Sequence, residues 1–239
     1  LWTSVAAVHF PAMAAHASPL VRASGLGALG GLTAQTLRGV SKAHRVLLTE
    51  APRAAARSDD SANVRAAACR AVGAAASFYA DADASAFFES EAETRASLRS
   101  DATLLVAAMR DGAKSVRLPA SWAVANVCGS AAARAARFTT EKERGEACLD
   151  DETASLLAEA CVDAATKEGD KVRANAARAL GHVLAAADLS LARTRDKACV
   201  AARLQDITQA LMSCLATGNA KTQWNACRAV RELFANATA

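Results

Sequence analysis

Apolar residues recur with helical spacing in five segments of this chain, and each segment opens in the same way. A Val-Arg step comes first, an Ala or Gly follows three residues after the Arg, and an Ala backed by Leu or Val follows six residues after it. These positions lie on one face of an α-helix, so the pattern predicts five amphipathic helices. The opening steps are Val21-Arg22, Val64-Arg65, Val116-Arg117, Val172-Arg173 and, in degenerate form, Thr222-Gln223.

The five segments start 43, 52, 56 and 50 residues apart. This spacing is typical of paired-helix repeats of the HEAT or armadillo kind, with loops inserted between the helices. One helix pair cannot bury its own apolar face, so successive pairs stack into a curved solenoid. We therefore predict an all-α fold, a right-handed α-α superhelix of about four to five helix pairs.

The domain organisation follows from the repeats. Because stacked repeats share one core, we expect a single domain over residues 1–239, and the initial Leu suggests an excerpt of a longer solenoid. Two stretches interrupt the helical period, an acidic one near 81–100 and a polar one near 137–151, and both are expected to be insertions. We expect Phe87-Phe88 to tuck onto the solenoid, with a docking contact for a partner as the alternative. We expect Pro52 to end an outer helix and Ser100-Asp101 to cap the next one.

Composition narrows the class of protein further. Apolar residues make up 52% of the chain and aromatic residues only 4%, which favours a core of closely packed Ala, Val and Leu. The net charge of +4 is small and spread along the chain, so neither nucleic acid nor a membrane is an expected partner. No apolar stretch approaches the ~20 residues of a membrane span. A protein or peptide is the expected partner, in an oligomeric state that the sequence leaves open.

The seven cysteines form no CxxC pair, and Cys69, Cys128 and Cys227 fall in repeat helices, where a thiol packs like an apolar residue. This usage predicts a reducing, intracellular location, either cytoplasmic or nuclear.

One arginine recurs at the same position of successive repeats, and two aspartates each precede the Val of their repeat by five residues. Stacking would bring these side chains together in charge-assisted hydrogen bonds between neighbouring repeats. We predict a structural ladder of Arg22, Arg65, Arg117 and Arg173 with Asp59 and Asp111.

A second column lies five residues after each arginine and points away from the core face. Arg and Trp side chains in such a column are the composition expected of a protein-binding surface. The predicted partner-binding residues are Arg70, Trp122, Asn126, Arg178, Trp224 and Arg228. An equally good interpretation is that the arginines solvate the concave face and Trp122 packs under an insertion. For Asn126, Asn175, His182 and Asn225, hydrogen bonding between repeats is the favoured role.

Catalytic and cofactor sites find no support in the sequence. Gly25-Leu26-Gly27-Ala28-Leu29-Gly30 matches a dinucleotide-binding pattern, but it lies inside a repeat helix, and no strand precedes it. We expect these glycines to permit close helix packing. The four histidines are scattered and no nucleophile motif is present, so we expect no enzyme, no cofactor and no metal site.

Three inner segments carry more than a generic repeat pattern. Ala120-Ser121-Trp122-Ala123-Val124-Ala125-Asn126, Val172-Arg173-Ala174-Asn175-Ala176 and Trp224-Asn225-Ala226-Cys227-Arg228 resemble, in this order, the family of HEAT repeat-containing protein 6, over about residues 60–236. The resemblance implies an armadillo-like fold without a known catalytic site. Pro119, Gln223 and Arg231 depart from the family pattern.

These observations lead to three functional hypotheses. The first is a non-catalytic scaffold or adaptor that binds a partner through its inner-helix surface. The second is an importin-like transport receptor, in which Trp-x-x-x-Asn pairs such as Trp122 and Asn126 clasp a cargo peptide. The third is a structural spacer with no binding role of its own.

Overall fold

The computed structural model describes residues 4–80, 88, 90–137, 149–186 and 200–237, and in these ranges it contains helices but no strand. A π-helical turn, Val5–His9, precedes α1, and 3₁₀ turns occupy Leu29–Gly31, Ala76–Ala80 and Val200–Arg203. The α-helices are α1 (Phe10–Ala14), α2 (Pro19–Ala28), α3 (Ala34–Arg38), α4 (Lys42–Ser58), α5 (Ala62–Ala75), α6 (Glu91–Met109), α7 (Lys114–Ala135), α8 (Asp151–Lys167), α9 (Asp170–Ala186), α10 (Leu204–Thr217) and α11 (Ala220–Ala237).

The helices of the described ranges are arranged as five stacked pairs. The second helices of the pairs, α2, α5, α7, α9 and α11, each contact the next along the chain, and we call them the inner helices. Their partners α1, α4, α6, α8 and α10 are the outer helices, and from α4 onward each of them also contacts the next. The predicted all-α solenoid of four to five helix pairs is confirmed.

The core is built from the residues that define the repeat. The valines of the opening steps, Val64, Val116 and Val172, are at most 3% exposed, and the Ala three residues after each arginine is equally buried. Small side chains allow adjacent inner helices to approach closely. A Cβ atom added to Gly73 of α5 would lie 2.6 Å from the Cβ of Ala123 in α7, closer than two carbon atoms can approach.

Polar side chains cap several helices where the sequence leaves their first N–H groups free. The hydroxyl of Ser41 accepts a hydrogen bond from the His44 N–H at the start of α4, and Ser90 accepts one from Glu93 at the start of α6. The Asp150 carboxylate accepts from the Thr153 N–H at the start of α8 over 2.7 Å. Each of these bonds satisfies a donor that the helix itself cannot pair.

Two predictions about helix boundaries are wrong. Pro52 lies inside α4, which runs on to Ser58, and Pro119 lies inside α7 without interrupting it. A proline costs a helix one hydrogen bond, and both prolines are buried in a helix that packs against neighbours on several sides, so packing offsets the loss. The second error concerns α6. It begins at Glu91 and is capped by Ser90, so Ser100 and Asp101 lie within it.

The insertion predicted near 81–100 is therefore shorter than expected, because residues 91–100 belong to a helix. Residues 81–87 and 89 lie outside the described residues, as does most of the insertion predicted at 137–151. Phe88 stacks on Tyr79 with 5.2 Å between ring centroids, so this phenylalanine does tuck onto the solenoid as expected. Phe87 lies outside the described residues.

Candidate functional site

The predicted ladder residues meet between successive inner helices. Arg22 of α2 donates two hydrogen bonds to the Asp59 carboxylate, over 2.8 and 2.9 Å, and Arg65 of α5 donates two to Asp111, over 2.8 and 3.1 Å. Each of these arginines also donates to backbone carbonyls in the turn that precedes its own helix, such as the Asp59 carbonyl for Arg65. One guanidinium thus joins the turns of two neighbouring repeats.

The ladder changes its chemistry toward the C-terminus. Arg117 of α7 pairs with Glu168 over 2.7 Å, although the position five residues before Val172 is held by Lys167. Glu168 is the C-cap of α8, as Asp59 is the C-cap of α4, so the two acids occupy equivalent places in the structure. Arg173 of α9 has a neutral partner in the next repeat, the Thr217 hydroxyl at 2.9 Å.

These ion pairs shift the pKa values of the acids that take part in them. The hydrogen bonds from Arg22 lower the pKa of the Asp59 carboxyl below its ordinary value of 3.8, and those from Arg65 do the same for Asp111. A hydrogen bond from the backbone at the start of the following helix contributes to both shifts, from Ser61 and Ala113 respectively. Both carboxylates are therefore charged at neutral pH and serve the stack rather than a ligand.

Three asparagines of the inner helices also bond across repeats. The side-chain amide of Asn126 donates to the Gly73 carbonyl over 3.1 Å, that of Asn175 to the Ser121 hydroxyl over 3.0 Å, and that of Asn225 to the Ala174 carbonyl over 2.8 Å. Each bond links one inner helix to the preceding one. The structure therefore places Asn126, which we predicted to bind a partner, in the hydrogen bonding between repeats.

Arg178 is likewise anchored rather than displayed to solvent. Its guanidinium donates to the Asn126 side chain over 3.0 Å and to the Trp122 carbonyl over 3.3 Å, and burial lowers its pKa. The side chain five residues after the repeat arginine thus points outward on α5 and α11, but on α9 it bends onto the neighbouring helix. The expectation of a fully outward Arg178 is wrong, because its long side chain reaches polar groups on α7 that a helical wheel cannot show.

A groove of about 750 Å³, which we call the inner groove, runs across the inner helices. All five inner helices or the turns next to them contribute to its lining, so it lies on the concave side of the stack. Its surface is mostly apolar, and two predicted partner-binding residues, Arg70 and Trp122, belong to it. The lining residues are Leu26, Gly27, Gly30, Arg70, Ala71, Ala74, Leu118, Pro119, Trp122, Asp170, Lys171, Ala174, Asn175, Asn219 and Lys221.

Trp122 has two roles at the centre of this groove. Its ring contacts Gly73 of the preceding inner helix, while 37% of the residue stays exposed to solvent. The absence of a side chain at Gly73 makes room for the ring. Trp122 thus packs against the neighbouring helix on one side and is exposed on the other, an arrangement common for aromatic side chains at protein interfaces.

Trp224 and Arg228 lie on α11, beyond the groove lining. Trp224 is 59% exposed, and the Arg228 guanidinium sits over its ring at 4.9 Å from the centroid. A smaller cavity of about 90 Å³ is lined by Arg228, with Arg178, His182 and Glu232 also in its wall. Burial and the two nearby arginines lower the pKa of His182, so its ring is neutral at neutral pH.

The sequence prediction missed several lining residues, although a signal for them exists. Leu118, Pro119, Lys171 and Lys221 lie one or two residues from the repeat arginine or its equivalent, in the first turns of their helices. On a helix, the positions two before and one, two, five and nine after that arginine form a single stripe. The predicted partner-binding residues were drawn mainly from the fifth position of this stripe, with only Trp224 and Asn126 taken from its first and ninth positions.

A buried polar cluster on the outer side was also missed. Arg53 of α4 donates to one oxygen of Asp101 over 2.6 Å, and the Tyr79 hydroxyl donates to the other oxygen over 2.6 Å. Arg134 of α7 donates to the Tyr79 carbonyl and pairs with Glu91. Asp101 is 2% exposed, and the contacts from Arg53 and Tyr79 compensate its buried charge. The cluster thereby joins the second helix pair to the third.

The glycine pattern at residues 25–30 belongs to the solenoid. Gly25 packs closely, since an added Cβ would lie 2.9 Å from the Cβ of Met13, whereas the added atoms at Gly27 and Gly30 would meet open space. Our expectation of close packing therefore holds for Gly25 and is wrong for the other two, which line the inner groove. None of the helices in the described ranges combines the length and apolar character that crossing a membrane requires.

Comparison with known proteins gives the fold its class. The designed armadillo repeat protein YIII(Dq.V1)4CPAF in complex with peptide (KR)4 matches with a TM-score of 0.56 and 16% identity, over 93% of this chain and 80% of that one. Computationally designed armadillo repeat proteins for modular peptide recognition match with a TM-score of 0.53 and 18% identity, over the same shares of the two chains. The fold is that of an armadillo-type helical solenoid.

At these identities the likeness concerns the fold alone. No family model matches this sequence, and the search of curated proteins found no match either. The resemblance to the family of HEAT repeat-containing protein 6 thus stays a prediction, while its broader part, an armadillo or HEAT type of helical repeat, agrees with the solved structures.

Proposed function

We propose that this protein is a non-catalytic scaffold that binds an extended segment of a partner protein in the inner groove. One observation carries the proposal. Residues of five successive inner helices form a single groove with an apolar surface and a partly exposed tryptophan at its centre. Apolar concave surfaces with a few polar groups are the usual form of binding sites.

The dimensions of the groove favour an extended peptide. Packed helices lie about 8–10 Å apart, so four steps between five inner helices span roughly 32–40 Å. An extended chain covers about 3.3 Å per residue, which corresponds to about 10–12 residues along the whole groove. A globular partner would reach such a concave floor only through a protruding segment. Designed armadillo proteins of the same fold bind peptides, which is consistent with this use of the surface.

The importin-like alternative loses the residue on which it rested. That hypothesis needs Asn126 to clasp the backbone of a cargo peptide. The amide group of Asn126 instead donates to Gly73, and its carbonyl oxygen accepts from Arg178. No second Trp-x-x-x-Asn pair occurs on the inner helices of this sequence. Recognition through the apolar floor is therefore better supported than recognition through an asparagine array.

The experiment selects peptides from a displayed library of random 12-residue sequences on the immobilised protein. Two variants then identify the binders that use the groove. Gly27→Tyr places a ring in the groove at a position where an added Cβ meets no protein atom, so it blocks the site without disturbing the core. Gly31→Tyr is the matched control, because Gly31 has the same free space but does not line the groove.

We expect groove-dependent peptides that lose at least about tenfold in affinity, or about 1.4 kcal/mol, with Gly27→Tyr and none with Gly31→Tyr. Trp122→Ala should weaken the same peptides by about 30-fold if the ring is an interface anchor. A selection that yields no peptide sensitive to Gly27→Tyr would contradict the proposal and favour the structural spacer.

A further inference from the structure

We infer that the occupant of the inner groove is an acidic segment, in which Asp or Glu carboxylates alternate with apolar side chains. This inference rests on the proposed function and adds the chemistry of the partner. It follows from the charges that surround the apolar floor, which the small net charge of the whole chain conceals.

The cations of the groove are not neutralised by the protein itself. Arg70, Lys171 and Lys221 line the groove and are exposed, and within the described residues none of them forms an ion pair. The single acid of the lining, Asp170, lies 4.0 Å from the ladder residue Arg173. Among the described residues, the groove therefore presents three positive charges without an ion pair and a single acid.

The positive charge of the surface continues on α11, beyond the end of the groove. Arg228 is exposed beside Trp224, and Glu232, one helical turn further along α11, pairs with Arg231. The positively charged side chains thus follow the stripe of helix positions that forms the groove, from α5 to α11. A row of cations along an apolar floor is complementary to a chain that carries acids and apolar residues in turn.

The charges argue against a basic occupant. A peptide such as (KR)4, which the designed armadillo protein of similar fold holds, would meet like charges at Arg70, Lys171 and Lys221. Like-charge contacts are a strong source of discrimination between partners. A basic peptide is therefore the partner that this groove should reject.

The test measures the charge of the groove-dependent peptides selected from the 12-residue library, and then the affinity of the most enriched one by fluorescence anisotropy. We expect net negative peptides whose affinity falls as the salt concentration rises. The triple variant Arg70→Gln, Lys171→Gln, Lys221→Gln should bind the peptide about tenfold more weakly, since each exposed ion pair changes affinity by roughly two- to fivefold.

A matched triple variant removes the same charge from the outer helices. Arg57→Gln, Arg110→Gln, Lys167→Gln alters exposed cations that lie outside the groove lining, and it should leave the affinity within about twofold. Equal weakening by both triple variants would overturn the inference, because it would reveal an effect of net charge alone.

The remaining outcomes separate the inference from the function on which it rests. Groove-dependent peptides that are neutral or basic would overturn the acidic occupant and leave peptide binding in place. The absence of groove-dependent peptides would overturn both. A 12-nucleotide single-stranded DNA that binds through the three groove cations more tightly than the best acidic peptide would also overturn the inference, in favour of a nucleic acid.

Discussion

Two steps of the inner-helix stack, α5 to α7 and α9 to α11, solve the same packing problem with different side chains. Both use a glycine eight residues after the repeat arginine, Gly73 in one step and Gly181 in the other, to bring the next helix close. The first step adds a charged pair, Arg65 with Asp111, whereas the second has Arg173 with the neutral Thr217. Close backbone approach is thus common to both steps, and the ion pair is an addition that the second step lacks.

The two steps also differ in what they leave exposed. In the first step, Trp122 of α7 rests against Gly73 and forms part of the groove. In the second, Trp224 of α11 is more exposed and has Arg228 over its ring. The tighter step therefore packs its tryptophan at the centre of the inner groove, and the looser step leaves its tryptophan more exposed.

Filling the space at the two glycines should change stability the most, and by different amounts in the two steps. Gly73→Ala would place its Cβ 2.7 Å from the Cα of Ala123, so backbone must move, and we expect a loss of about 1–3 kcal/mol in the free energy of unfolding. Gly181→Ala meets the Cα of Ala229 at 3.1 Å and gains helix propensity, so its change should stay within about 1 kcal/mol. Urea unfolding measures both, with Gly27→Ala as the control in open space. Equal losses of stability in the two variants would contradict the conclusion that the inner helices approach more closely at Gly73 than at Gly181.

Removing the ladder partners should have the next largest effect. Asp111→Ala leaves Arg65 without its carboxylate and the Ala113 N–H without its acceptor, and we expect a cost of about 1–2 kcal/mol. Thr217→Ala removes one neutral hydrogen bond to Arg173 and should cost about 0.5 kcal/mol. The midpoints of thermal unfolding rank the two variants. If Thr217→Ala proves the more harmful, the ion pair is not the stronger of the two contacts.

Acid should weaken the first step, and the α2 to α5 step that Arg22 and Asp59 join, more than the second step. The pKa values of Asp59 and Asp111 are lowered in the folded state, so their stabilisation is fully present above the ordinary carboxyl value of 3.8 and is lost as the pH falls through the lower folded values. Between pH 5 and pH 2 the wild type should therefore lose more stability than the variant Asp59→Asn, Asp111→Asn. Unfolding curves across this range would disprove the assignment if the two proteins declined in parallel.

The smallest expected effect is a gain in stability. Thr217→Asp supplies the acid that the second step lacks, within reach of the Arg173 guanidinium, whose nitrogen is 2.9 Å from the threonine hydroxyl. A partly exposed ion pair of this kind should add about 0.5 kcal/mol at low salt and less at high salt. The same substitution in an Arg173→Met background should give no gain, and a gain that persists there would show another cause.

Much of the stack could be read from the repeat itself. The Val-Arg step, the small residue three positions later and the apolar pair after it define each inner helix, because the helix period fixes which positions share a face. The partners of Arg22 and Arg65 could be predicted for the same reason, since Asp59 and Asp111 keep one distance from their repeat. The partner of Arg117 could not, because Glu168 lies four residues before Val172, one fewer than the five that separate Asp59 and Asp111 from their valines.

The candidate site was less accessible to sequence reasoning. A helical wheel marks Arg178 as outward, yet its side chain bends onto α7, and it marks Asn126 as available, although this residue bonds to Gly73. Likewise, Pro52 and Asp101 carry local signals for a helix end and a helix cap, but packing on several sides buries both inside helices. Local preferences amount to about a few kcal/mol and give way when tertiary contacts supply more.

The sequence by itself determined the helical repeat, its core face and the arginines that join one repeat to the next, because these depend on spacing along a single helix. Only the tertiary structure decided which outward side chains stay free. It turned Arg178 and Asn126 toward neighbouring helices and left Arg70, Trp122, Lys171 and Lys221 around one groove. The reason is that a groove forms only between helices. The spacing and curvature of the stack decide which outward side chains line it, whereas a single helix exposes all of them equally.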